Sequence, residues 1–97
     1  MRIEILEDAE RDLIEGFHFY ESQEAGLGLY FRTNLFSDIE SLKNYAGIHS
    51  RPHKPYHRLL SRKFPFAIFY TIENETVFIH AVLDCRKDPA WIRDRLE

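Results

Sequence analysis

The chain has 97 residues, 44% hydrophobic and 14% aromatic, with 13 Lys/Arg against 16 Asp/Glu and a formal charge of −3. That length accommodates one domain over residues 1–97, and eight Phe with five Tyr exclude a disordered chain. The lone Cys85 allows no internal disulfide, the acidic periodic N-terminus is not a signal peptide, and no apolar run spans a bilayer, so a cytoplasmic protein without membrane contact is expected.

Arg2–Leu6 alternates around Ile3 and Ile5 and reads as a strand. Glu7 or Asp8 can cap the helix that follows, and its early acids suit the positive end of the helix dipole. Ala9, Leu13, Phe17 and Tyr20 share one helical face, with Ile14 beside it, and Gly26 and Gly28 end the pattern. A second helix takes Phe31, Leu35, Ile39, Leu42 and Ala46 and closes near Gly47, making an αα-hairpin. Pro52 and Pro55 make residues 48–55 a loop. Three strands follow, at Tyr56–Lys63, Phe66–Ile72 and Val77–Asp84, the last two joined by Glu73-Asn74-Glu75-Thr76. Asp88 then caps a final helix that starts at Pro89. The expected fold is α+β: a two-layer β-α-α-β-β-β-α domain with a helical hairpin on a mainly antiparallel four-stranded sheet.

Strict alternation sends Val77, Ile79, Ala81 and Leu83 under the helices and Phe78, His80, Val82 and Asp84 to an open face. In the preceding strand Phe66, Ile68, Tyr70 and Ile72 match the helix side, leaving Ala67, Phe69 and Thr71 open. His80 and Asp84 then share a face. Arg86 either acts functionally or pairs with Asp84 or Asp88, and Trp91 either caps the core or binds a partner. Cys85 reads as an inert small residue whose pKa Arg86 and Lys87 would lower. Phe19, Tyr30 and Phe36 remain as exposed aromatics on the hairpin, a patch that suits a protein partner.

Charge is segregated: residues 1–48 hold four basic and ten acidic side chains, and residues 49–97 hold nine and six. Arg51, Lys54, Arg58, Arg62 and Lys63 fall in an acid-free stretch, which points to an anionic contact. His49, His53 and His57 recur every four residues, but the prolines between them break any helix that would gather them around a metal, so no metal is expected.

ERDL in the first helix, then GLGLYFRTNLFSDIESL, then HRLLSRKFPFAIFYTIENETVFIHAVLDCRKDPAWIRDR resemble the RelE/ParE superfamily of type II toxin–antitoxin toxins. The most specific pieces are Phe64-Pro65-Phe66 entering a strand that contains Tyr70, and the Arg86-x-Asp88-Pro89-x-Trp91 close, and the likeness is greater to ParE-like members. That resemblance implies a toxin without cofactor that binds DNA gyrase, with Arg86, Trp91, Arg93 and Arg95 as target-binding residues. It also implies a cognate antitoxin that wraps the toxin with an amphipathic helix and often an added strand, reaching Phe19, Tyr30 and Phe36. DNA would be contacted only through the antitoxin complex. RelE-like members instead imply a ribosome-dependent mRNA endoribonuclease, here with Arg86, Arg62, Arg58 and His57 or His80. That pattern is broken at Ala67, where an arginine is expected, and at Trp91 or Ile92, where an aromatic acid/base is expected. A third reading is an inactive antitoxin-binding module.

Overall fold

The computed structural model describes residues 1–97, in the order β1 (Arg2–Ile5), α1 (Glu7–Glu21), α2 (Leu27–Glu40), α3 (Leu42–Tyr45), β2 (His57–Leu60), β3 (Phe66–Glu73), β4 (Thr76–Asp84) and α4 (Pro89–Leu96). The strands make one sheet ordered β1-β4-β3-β2, in which β1 runs parallel to β4 and the other pairs are antiparallel. The α+β fold with a helical hairpin on a mainly antiparallel sheet is therefore the one the sequence predicts.

Several boundaries differ for local reasons. Leu6, not Glu7 or Asp8, is the N-cap of α1, and no side chain caps it; Glu7, Asp8 and Glu10 act within the first turn. Gly26 stands at the N-cap of α2 with φ +91, and Gly28 lies inside that helix instead of ending α1. The Glu21 carboxylate accepts the N–H groups of Gly26 and Gly28 at 2.9–3.1 Å, clamping the end of α1 to the start of α2. The second helix divides at Ser41, whose hydroxyl donates back to the Asp38 carbonyl at 2.6 Å, so Leu42 enters the core from a separate turn, α3. Strand β2 stops at Leu60: the Ser61 N–H makes a last bond to the Phe66 carbonyl, and the chain then bends through residues 62–65 into β3. Asn74 and Glu75, both at positive φ, form the two-residue loop between β3 and β4.

The hairpin approaches closely: a Cβ on Gly16 would lie 2.6 Å from the Phe31 ring. Phe31 in turn stacks on Tyr20 and meets Phe64 and Phe66 edge-on, making the aromatic centre of the main core.

The alternation in β4 does not persist. Phe69 pairs with Ala81, but the next residue of β3, Tyr70, pairs with Ile79, so His80 is an extra residue and β4 is bulged. Before the bulge Val77 and Ile79 face the hairpin as expected; beyond it Val82 does, while Ala81 and Leu83 join Ala67 and Phe69 in a second core on the opposite face. That face is also not open, since Ile92 and Leu96 of α4 cover these four residues. The bulge turns the Val82 N–H away from β3, and the buried Asp12 of α1 accepts it at 3.0 Å. Arg95 of α4 donates to the same carboxylate at 2.9 Å.

Asp12→Ala is expected to lower stability by about 2–4 kcal/mol, because it strands a buried N–H and a half-buried guanidinium. Asp12→Asn, whose amide oxygen can still accept both bonds, is expected to lose much less. Urea unfolding midpoints at pH 7 measure the difference.

Candidate functional site

The residues expected to serve cleavage are dispersed over the two faces of the sheet. Arg58 lies opposite Phe69 and so belongs to the α4 face; its Nε is buried without a partner. His80 is on that face too, sharing a hydrogen bond of 2.8 Å with Thr71 Oγ1 and meeting the Tyr56 ring edge-on at 5.0 Å. Burial pushes its pKa below the ordinary histidine value. His57 pairs with Tyr70 on the hairpin face, where the two rings stack at 5.0 Å. Arg62 is drawn to the hairpin as well: its Nε donates to the buried Asp38 at 3.0 Å, beside a 2.7 Å bond from Ser61 to the same carboxylate. The bulge places Asp84 on the hairpin side, away from His80, so the two do not share a face as alternation predicts.

Arg86 forms the pair with Asp84. Its guanidinium donates to both carboxylate oxygens at 2.8 and 3.0 Å, and its backbone N–H adds a third bond at 2.8 Å. Those bonds hold the Asp84 carboxyl below the usual carboxylate range. Cys85, between them, departs only from the expected direction of its pKa. Burial of the thiol raises its pKa and outweighs the attraction of the nearby Arg58 cation.

Arg86 leads into a compact cationic and aromatic group on α4. Trp91 is 38% exposed, with Lys87 Nζ 5.3 Å and Arg95 Cζ 5.8 Å from its ring centroid. Ile92 and Leu96, not Trp91, seal the core beneath. Between Trp91 and Phe19 runs a groove of about 320 Å³, floored by Gly16, Phe66 and Val82 and rimmed by Glu15, Asp84 and Lys87. Arg93 is exposed beside Lys54 and His53 in a separate shallow groove at the end of α4. Of the residues expected to bind a target, Arg86, Trp91 and Arg95 lie together at this end of the molecule and Arg93 lies in the separate groove. Lys87, which sequence reasoning did not select, sits over the Trp91 ring. Its spacing of four from Trp91 was the available signal.

The three exposed aromatics of the hairpin do not form one patch. Phe19 belongs to the α1–α4 groove, Tyr30 lies against Phe64 at 5.6 Å, and Phe36 lines a third groove. This third groove, of about 460 Å³, runs between α1 and α2 over Ile5, Leu13, Ile14 and Phe17, with Glu10, His18 and Arg32 at its margin. Ile14 is 58% exposed there, and Arg32 sits 5.5 Å from the Phe17 ring. The histidines at 49, 53 and 57 do not gather as one set: His49 and His57 both pack on Tyr70, and His53 goes to Phe69.

No family model and no curated protein matches the chain in sequence. In three dimensions it is similar to a chain of the chromosomal ParDE TA system from P. aeruginosa, with a TM-score of 0.79, 16% identity, and coverage of 84% of this chain and 92% of that one. The two chains share a fold, which is the fold that the sequence resemblance implies.

The Asp84–Arg86 pair yields a pH signature. Because the native carboxyl titrates below its unfolded value of about 4, its stabilisation is complete above that value and fades as pH falls through the lower native one. Asp84→Asn is expected to flatten that part of the acid limb when urea midpoints are followed from pH 5 to pH 2.

Proposed function

We propose that the chain is the toxin of a type II toxin–antitoxin pair, acting in the cytoplasm by binding DNA gyrase and neutralised by a cognate antitoxin. The observation that carries the first part is the fold shared with a chain of a ParDE TA system, together with the element order that the sequence predicts. The antitoxin takes the apolar groove between α1 and α2, where Ile14 and Phe36 are the exposed large side chains.

Binding is favoured over RNA cleavage by the arrangement of the sheet. Cleavage of a phosphodiester requires a base, an acid and cations within reach of one phosphate. Here His57 and His80 lie on opposite faces, Arg62 is tied to Asp38, and Ala67 stands buried beneath α4. These groups are thus divided between the two faces of the sheet. What faces outward is the group of Arg86, Lys87 and Trp91 at the start of α4, with Arg93 exposed in the separate groove beyond it, an aromatic with cations of the kind that anchors protein interfaces.

Induction of the lone protein in bacteria, with pulse labelling, tests the proposal. Early loss of thymidine incorporation with filamentation is expected. An immediate fall in methionine incorporation with DNA synthesis intact would replace gyrase by the ribosome, and unimpaired growth would reduce the chain to an antitoxin-binding module. Arg93→Glu, at an exposed position, is expected to weaken growth arrest at least tenfold while changing stability by less than about 0.5 kcal/mol. Arg62→Ala is expected to leave arrest intact.

A further inference from the structure

We propose that residues 47–56 form an acid-opened flap: the His49–Tyr70–His57 cluster latches it to the sheet, and a proton on His49 releases it from the outer edge of β2. This inference stands apart from the toxin reading and does not depend on it.

The latch follows from counting protons. Tyr70 lies in β3, is fully buried, and has a hydroxyl with one proton and two lone pairs. The Gly47 N–H donates to that oxygen at 3.0 Å, and His49 Nδ1 lies 2.6 Å from it. Gly47 takes one lone pair, and the hydroxyl proton of this buried side chain has His49 Nδ1 as its acceptor; Nδ1 then presents a lone pair, which requires the neutral ring. His57 stacks on the Tyr70 ring and hydrogen-bonds through Nδ1 to the His49 carbonyl at 2.8 Å. The next carbonyl, Ser50, accepts the Arg58 N–H at 2.9 Å. Gly47, His49 and Ser50 thus close successive contacts along β3 and β2. The last of them occupies an outward N–H of β2, the terminal strand of the sheet.

Protonation of His49 turns Nδ1 from acceptor to donor. The Tyr70 oxygen then faces two donors, and its own proton has no acceptor. The titratable groups facing the ring are Tyr70 from β3 and His57 from β2, and no carboxylate lies within ion-pair distance of it. Burial first, and repulsion from His57 second, accordingly hold His49 below the ordinary histidine value. The flap also carries the exposed cations Arg51 and Lys54, so a further positive charge beneath it gains no compensation. Its far end stays tied, because the Tyr56 hydroxyl donates to the Leu96 carbonyl at 2.9 Å. Opening therefore swings the Gly47–Ser50 end and exposes the Arg58 N–H, leaving β2 available for pairing with an extended strand.

The sign is definite. The neutral form is favoured in the closed state, so closure is at full strength above the ordinary histidine value of about 6.5 and weakens as pH falls below it. Two NMR measurements on the full chain test this: the nitrogen-15 titration of each histidine ring, and hydrogen exchange of the Gly47 and Arg58 amides corrected for intrinsic rate. Protection of both amides is expected to fall at least tenfold between pH 7.5 and 5, with a midpoint matching His49, while the Ile79 amide keeps its protection. Tyr70→Phe is expected to leave Gly47 unprotected at both pH values. Constant protection, a midpoint that follows His53, His57 or His80 instead, or an equal loss at Ile79 would each overturn the proposal. So would a Tyr70→Phe protein that retains both the Gly47 protection and its pH dependence.

Discussion

The stretch of chain from the β4 bulge to α4 depends on one buried carboxylate. The extra residue His80 in β4 leaves the Val82 N–H without a partner in the ladder, inside a segment that β1 is too short to cover. A buried, unpaired N–H costs about as much as a lost hydrogen bond and more, so a bulge here survives only with a supplied acceptor. Asp12 supplies it from the middle of α1 and, with its second interaction, collects Arg95 from α4. Burial raises the carboxyl's pKa against both of those bonds. One side chain therefore sets the seating of α1 on the sheet and the docking of α4 at the same time.

The bulge also decides what the two faces can do. Without it, one face of β4 would hold all four apolar residues and the other would be open and polar. With it, Ala81 and Leu83 rotate to the far side and create an apolar seat for Ile92 and Leu96. A helix lying on that seat hides Ala67 and Phe69 from solvent, and a polymeric substrate cannot lie where a helix is packed. The same helix presents Trp91 between Lys87 and Arg95 outward. The geometry that covers one face of the sheet thus also sets an aromatic ring and two cations at the surface.

Much of this was legible in the residues, and the failures have particular causes. The hairpin was visible because Leu13, Phe31, Leu35 and Ile39 follow a helical period that no neighbour contradicts, and Asp88-Pro89 marks the start of α4 through its own side-chain cap onto the Ala90 N–H at 2.8 Å. The strand faces were legible only to the bulge: period-two reasoning assumes an uninterrupted ladder, and nothing local to His80 announces an extra residue. That signal sits in Asp12, seventy positions before the Val82 N–H it accepts, a buried acid that the periodicity of α1 disguises as one more polar residue. Arg62 misled in the same manner. In sequence it belongs to a basic run, and only the fold brings Asp38 against it.

Those two long-range pairs change the meaning of the charge asymmetry. The acidic first half and basic second half look like two opposed surfaces, each awaiting a partner of opposite sign. Yet Arg62 with Asp38 and Arg95 with Asp12 join the halves to one another, and both acids are buried. Part of the segregation is therefore internal attachment: basic residues of the second half fasten β2 and α4 to the acidic hairpin. Arg51, Lys54, Lys63 and Arg93 form no ion pair. Arg51 and Lys54 ride on the segment after α3, and Arg93 stands on the exposed side of α4. Lys63 stands in the connection between β2 and β3, and the cationic surface available to an anionic partner is accordingly smaller than the sequence suggests.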